Sequence, residues 1–181
     1  MTEPREIRVF RTEELNTNLR SAIVDLCVAA HQDENFRDLF SYFPSGSLHF
    51  LAFQDQELVS HAIVTTRWLE QEGHSPLKTA YVDAVATLPS AQRRGHGSAL
   101  MRYLANKVDA NYAIGCLGTD EAGFYERLGW QVWRGPLAAR GEQGLIATPE
   151  QHGIMVLGLS QTPELNLDAR LIIVGDGKRT W

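Results

Sequence analysis

Apolar positions along the chain change their period several times, and each change predicts an element. Ile7 to Phe10 alternate and predict a strand, whereas Leu15, Leu19, Ile23, Leu26 and Ala30 recur at the spacing of one helix face. The segment HQDENF interrupts that period. Its acids Asp33, Glu34 and Asp38 fall where a new helix would begin, so capping accounts for part of the cluster. SLHFLAFQDQELVSHAIVTTRWL reads as two strands around a turn at Asp55 and Gln56, most simply a hairpin. EQEGHSP is turn-like, and KTAYVDAVATL is a further strand, ended by Pro89, which cannot donate to a ladder.

From Ser98, the residues Ala99, Leu100, Tyr103, Leu104 and Val108 keep helical spacing as far as Asn111. Tyr112 to Leu117 is a short apolar strand, Glu121 to Leu128 a short helix stopped by Gly129, and Gln131 to Trp133 another strand. The stretch RGPLAARGEQGLIATPEQHG is punctuated by glycine and proline and predicts a long surface excursion rather than core. GIMVLGL returns to strand. The tail holds one more apolar run, Arg170 to Val174, which would serve a homodimer as readily as its own sheet. With no internal repeat and with strands and helices interleaved, the pattern is mixed α/β (α+β). The expected architecture is a central, largely antiparallel sheet flanked by helices.

Composition narrows this further. At 181 residues and 44% hydrophobic content the chain can bury one core and is short for two ordinary domains, so a single domain over 1–181 is expected. No window approaches the roughly 18 apolar residues of a membrane helix, and MTEPREIRVF lacks a signal peptide's apolar stretch, so a cytoplasmic protein with no membrane partner is expected. The formal charge of −5, with no Lys/Arg-rich block, argues against nucleic acid. An acidic surface suits a cationic small molecule, and equally suits simple solubility. Cys27 and Cys116 lie among apolar neighbours and read as buried thiols. His31, His49, His61, His74, His96 and His152 lack ligand spacing, so they read as surface or satisfied core residues and no metal is expected. Trp68, Trp130 and Trp133 fall at strand ends and read as core or rim.

The informative stretch is AYVDAVATLPSAQRRGHGSALMRYL: a strand, a turn at Pro89, then Gln92-Arg93-Arg94-Gly95-His96-Gly97 opening into a helix at Ser98. Amide hydrogens at a helix start lack internal partners, and the helix dipole adds positive charge, so a pyrophosphate fits there. Gly95 and Gly97 remove Cβ atoms that would hold a ligand off the backbone, and Arg93 and Arg94 supply charge. A glycine-rich turn with no ligand is the alternative. The G-x-G-x-x-G spacing of a dinucleotide fold is absent, and no Lys-Ser/Thr follows the glycines as in a P-loop.

Q-R-R-G-H-G, placed after this strand, resembles the Q/R-x-x-G-x-G/A signature of the GNAT acetyltransferases. The resemblance implies acetyl-CoA as cosubstrate, with its pantetheine arm along Val85, Ala86 and Thr87 and its diphosphate on Gln92, Arg93, Arg94, Gly95, His96, Gly97 and Ser98. AGFYERLGW is similar to the family's late helix, whose tyrosine can protonate the departing thiolate; that role falls on Tyr125, against the alternative of a core tyrosine satisfied elsewhere. The acceptor amine is protonated at neutral pH, so a carboxylate must draw off a proton. Asp83, a lone acid in an apolar strand, is the candidate, with its pKa raised by burial and lowered by a bound ammonium. A backbone N–H near Val85 would hold the oxyanion.

AYVDAVAT, the YERLGW element, the TPEQHG turn and the terminal Trp181 together resemble the aminoglycoside 2'-N-acetyltransferases. That resemblance implies an acceptor site of Asp83, Ala84, Asp33 or Glu34, Gly118, Gln151 and the carboxylate of Trp181. Three departures each remove or shorten a negative contact: Asp83 stands where glutamate is usual, TPEQ replaces an acidic TPDD-like turn, and GDGKRT precedes the terminal residue. Asp176 either replaces a lost acid or serves the G-D-G turn. Three readings stay open: an aminoglycoside acetyltransferase, an acetyltransferase for a polyamine or peptide N-terminus, and a non-catalytic acyl-CoA sensor. Asp83 and Tyr125 favour the enzymes.

Overall fold

The computed structural model describes residues 6–177 and 179–181. They form two compact units, one of residues up to Thr65 with Val82–Asn106, the other of Thr66–Tyr81 with Lys107–Trp181.

In the first unit, β1 (Glu6–Arg11) is followed by a 3-10 turn at Thr12–Glu14 and by α1 (Thr17–His31). The helix begins where the Asn16 side chain accepts from the Leu19 amide at 2.9 Å, two residues after the apolar period itself starts at Leu15. Ile23, Leu26 and Cys27 are its buried stripe. A second 3-10 turn, Glu34–Asp38, leads into α2 (Leu39–Tyr42). β2 (Leu48–Gln54) pairs antiparallel with β1, Glu6 opposite Phe53 and Arg11 opposite Leu48. It turns into β3 (Glu57–Gln71) at Asp55 and Gln56, whose φ of +49° and +65° are those of a two-residue hairpin turn, as expected. β4 (Leu77–Thr87) neighbours β3 and leads to α3 (His96–Val108). The helix starts two residues before Ser98, with the Ala99 amide donating to the Gly95 carbonyl at 3.0 Å. Leu15, Ile23, Leu26, Leu39, Leu51 and Phe53 centre the core of this unit.

In the second unit, β5 (Ile114–Gly118) runs parallel to the start of β4, from Thr79 opposite Ile114 to Tyr81 opposite Cys116. Then come α4 (Ala122–Glu126), β6 (Gln131–Val132), β7 (Leu137–Gly141), β8 (Gly144–Ala147), β9 (Ile154–Gly158) and β10 (Leu171–Val174). β9 pairs antiparallel with both β5 and β6, while β10 lies antiparallel to the end of β3 and parallel to β7. Leu69, Tyr81, Ile114, Trp133, Ile154 and Ile173 form the core here, with Trp181 packed against it. Cys27 and Cys116 are both buried, as expected.

One expectation is corrected. The stretch 134–153 is no excursion, because it contains β7 and β8, and Ala138 and Ala139 of β7 are buried against β10. The flanking glycines and prolines hid a strand whose pairing partner lies more than thirty residues away in the chain. Only β8 behaves as expected, exposed along its whole length. The tail strand β10 is used within the chain's own sheet, between β3 and β7.

Gly153 pins the 148–153 turn to the end of β5: its carbonyl accepts from the Thr119 amide at 2.9 Å. Its φ is +70°, and an added Cβ would stand 2.1 Å from the Thr119 carbonyl oxygen. Gly73 has a similar φ of +84° with nothing within 4 Å of such a Cβ. Chemical denaturation should therefore show Gly153→Ala losing about 2–4 kcal/mol and Gly73→Ala only about 1 kcal/mol. Equal losses would contradict the steric account.

Candidate active site

The first unit carries an irregularity in the middle of β4. Ala84 has φ +48°, a left-handed conformation that costs a residue with a Cβ about 1–2 kcal/mol. A residue turned this way within a strand re-aims the next peptide, as at a bulge, and persists only where its surroundings hold it. Here they do. The Ala84 carbonyl accepts from His61 Nδ1 at 2.9 Å, with the Cys27 thiol at 4.0 Å. Ser60 Oγ donates to the Ala86 carbonyl at 2.8 Å and meets Thr87 Oγ1 at 2.9 Å. Asp83, Ala84, Val85 and Thr87 are half-buried and Ala86 is buried.

After β4 the Leu88 amide donates to the Val59 carbonyl at 2.9 Å, and Pro89–Ala91 form a 3-10 turn. Gln92 ties the loop back by donating from Nε2 to the Thr87 carbonyl at 3.1 Å. The backbone then curls at Arg93 (φ +60°) and Gly95 (φ +81°) before entering α3. Gln92, Arg93, Arg94 and Gly95 are exposed, Gly97 and Ser98 half-buried, and His96 buried. The loop thus offers backbone from Arg93 onward and two exposed guanidiniums, which is what a diphosphate requires. The left-handed Arg93 carries no signal in the sequence, unlike Gly95.

Of the two acids after α1, Asp33 accepts from the Asn35 amide at 2.9 Å as a cap, and Glu34 pairs with Arg37 at 3.0 Å. Arg37 also pairs with Asp25 at 2.7 Å. His31 stacks on Phe36, with ring centroids 4.6 Å apart. Burial lowers its pKa, opposed by a hydrogen bond to the Val85 backbone and by the charge of Asp33. Asp33, His31 and the Val85 backbone therefore share one neighbourhood, in which the sequence singled out Asp33 but not His31. His49 and His61 are satisfied core residues, as expected: Thr12 Oγ1 lies 3.1 Å from His49 Nε2, and His49 Nδ1 lies 3.1 Å from His61 Nε2.

The second unit holds the other predicted residues. Tyr125 on α4 is buried, edge-on to Phe124 and Trp130 at centroid distances of 4.9 and 6.0 Å. Burial, with the charge of Glu121, pushes its phenol up to about 12, so it holds its proton at neutral pH. Gly118 ends β5 in the open, and the position of a Cβ there lies 3.8 Å from Gln151 Nε2 and 3.9 Å from Tyr81 Oη. Gly118 and Gln151 thus come together, and Tyr81 joins them although the sequence reading passed over it. Trp181 donates from Nε1 to Thr148 Oγ1 at 3.0 Å. Arg67, itself buried, donates to the carbonyls of Val174 (3.3 Å) and Thr180 and lies 3.8 Å from Asp176, fixing the terminal residues. Asp176 also accepts from the Arg179 amide at 2.9 Å, which favours its turn role.

Among the described residues no group of three or more His, Cys, Asp or Glu could hold a metal ion, and no helix is long and apolar enough to cross a membrane.

The Acetyltransferase (GNAT) domain family matches residues 9–133, more than half the chain. The aminoglycoside 2'-N-acetyltransferase of Mycolicibacterium fortuitum is 26% identical over 93% of this chain and 87% of that protein. Among solved structures, the GNAT family N-acetyltransferase YhbS of Escherichia coli, in complex with CoA, aligns over 95% of this chain and 92% of that one at 14% identity, with a TM-score of 0.63. Eis1 of Mycobacterium abscessus aligns over 75% of this chain at 21% identity and a TM-score of 0.59, and there the chain spans only 33% of its relative's length. These likenesses show the fold, a mixed sheet with flanking helices. By the family match the chain belongs to the GNAT acetyltransferases, acetyl-CoA-dependent N-acetyltransferases.

Proposed function

We propose that the protein transfers the acetyl group of acetyl-CoA to a primary amine of a cationic small molecule, the 2'-amino group of an aminoglycoside, by direct attack in a ternary complex. The observation that carries this reading is the left-handed Ala84 within β4, followed by a loop curled at Arg93 and Gly95 into α3. A strand irregularity of this kind turns a peptide N–H out of the ladder, and such a loop presents backbone to phosphate.

In this reading Gln92, Arg93, Arg94, Gly95, His96, Gly97 and Ser98 hold the diphosphate, and Val85, Ala86 and Thr87 align the pantetheine arm. Asp83 takes a proton from the acceptor ammonium. The neutral amine nitrogen then bonds to the thioester carbon, and the Val85 N–H holds the resulting oxyanion. As the carbon–sulfur bond breaks, Tyr125, which its raised pKa keeps protonated until then, gives its proton to the departing thiolate, and the surplus proton on the acylated nitrogen passes to the phenolate, through water, leaving a neutral amide and the free thiol. Asp33, Ala84, Gly118, Gln151 and the carboxylate of Trp181 contact the acceptor. The aminoglycoside assignment is supported by the 26% identical relative and by the tail that Arg67 fixes. Another amine, a polyamine or a peptide N-terminus, is the second reading, favoured by the pairing of Glu34 with Arg37.

Asp83→Ala and Tyr125→Phe should each lower kcat by about a hundredfold or more with little change in acetyl-CoA binding. Steady-state thiol release and calorimetry would show this, and wild-type turnover would remove the assigned roles. Gly95→Val places a β-branched side chain at φ +81°, so it should abolish the rise in Tm that acetyl-CoA gives the wild type. A retained rise would count against the loop. Deleting Trp181 should raise KM for an aminoglycoside more than for a polyamine; unchanged aminoglycoside turnover would favour the second reading.

A further inference from the structure

β3 carries two adjacent polar residues, Ser60 and His61, within a run that is buried from Leu58 to Thr65. A second histidine, His49 of β2, is likewise fully buried beside it. The three contacts around them form one chain, Thr12 Oγ1 to His49 Nε2 (3.1 Å), His49 Nδ1 to His61 Nε2 (3.1 Å), and His61 Nδ1 to the Ala84 carbonyl (2.9 Å).

The far end of this chain fixes its polarity. A carbonyl oxygen can only accept, so His61 must carry its proton on Nδ1. Nε2 of His61 then accepts, which requires the proton of His49 to sit on Nδ1 as well. His49 Nε2 is left to accept from the Thr12 hydroxyl, for which the Ser47 carbonyl at 3.3 Å is the longer alternative. Every link has one proton, and both rings are neutral. A second proton on His61 would sit on Nε2 and set N–H against N–H at the contact with His49, whereas one on His49 would sit on Nε2 and force the Thr12 hydroxyl to turn to the Ser47 carbonyl. Burial keeps both rings neutral, with pKa values pushed down to about 3 for His49 and about 4 for His61. The charged and titratable groups facing them act in the same sense: Arg20 toward His49 and His31 toward His61, with the Cys27 thiol, its pKa raised to about 12 by burial, 3.7 Å from His61 Nδ1.

The consequence lies in the planarity of the peptide bond. The Ala84 carbonyl and the Val85 N–H belong to one trans peptide unit, so they point in opposite directions. Anchoring the oxygen on His61 aims the hydrogen directly away from His61. We propose that His61, with its tautomer set by His49 and Thr12, is a positioning residue that holds the left-handed Ala84 peptide and thereby aims the Val85 N–H at the acetyl carbonyl. This deepens the reading given above and rests on it. His61 touches neither substrate nor acyl group; it acts through the peptide.

The two ring nitrogens of a histidine allow a test, because asparagine places its amide near Nδ1 and glutamine near Nε2. His61→Asn should keep the bond to Ala84, and His61→Gln should keep only the one to His49. With acetyl-CoA and an aminoglycoside bearing a 2'-amino group, His61→Gln is expected to lower kcat about tenfold or more, with KM for acetyl-CoA within about twofold. His61→Asn should recover at least about a third of the wild-type kcat. Equal loss in both variants, or in neither, would overturn the proposal. Two further measurements do not depend on turnover. In assigned 1H–15N spectra, acetyl-CoA should shift the Val85 amide in wild type and in His61→Asn but not in His61→Gln; a wild type that does not respond sinks the reading of the site, whereas an equal response in both variants sinks only the positioning role. Should the variants fail to fold, long-range 1H–15N spectra of the wild type decide the matter, because finding His61 protonated on Nε2 at pH 7 contradicts the relay.

Discussion

In the proposed function, the hydrogen bond from His61 to the Ala84 carbonyl is the constraint on which the first unit's chemistry depends. A strand normally spends every backbone group on its neighbours, and departing from that leaves polar groups that must find other partners. β4 departs at Ala84, and the partners come from side chains of the neighbouring strand: His61 for Ala84, Ser60 for Ala86. The cost of a left-handed alanine and of two buried imidazoles is offset because each polar atom in the chain from Thr12 to Ala84 meets its complement. In the proposed function this irregularity serves the reaction, since strain of this kind persists only where the surroundings hold it.

The second unit solves a related problem at the chain terminus. Arg67 is a buried cation, and such a group is retained only when it is paired and hydrogen-bonded. Its Nη2 donates to tail carbonyls, its Nε lies 3.8 Å from Asp176, and the Tyr81 ring lies 5.5 Å from both its guanidinium and that of Arg179. A terminal segment that would ordinarily fray is thereby fixed. In the proposed function that order matters, since a carboxylate can contact a polycation with specificity only if it is held in place.

Much of this was legible in the sequence, for reasons that can be named. Helices α1 and α3, the Asp55–Gln56 hairpin and the strand–loop–helix stretch around Gly95 follow from local period and turn chemistry, and they appear as read. β7 did not, because its pairing with β10 is non-local and its flanks carry glycine and proline. At the site, Gly95 is a residue type that favours the left-handed backbone it adopts, whereas Ala84 and Arg93 adopt one without a residue type that signals it. In the sequence His61 is only one of six scattered histidines, and nothing there singles out Arg67. What they bond to is set by which carbonyls are freed nearby, and only coordinates give that.

The central claim is that β4 around Ala84 and the loop into α3 together seat acetyl-CoA. Amide hydrogen exchange with and without acetyl-CoA tests it most directly. Slowed exchange concentrated in residues 84–87 and 92–98 is the predicted result; exchange unchanged there, or slowed only in other segments, would contradict it.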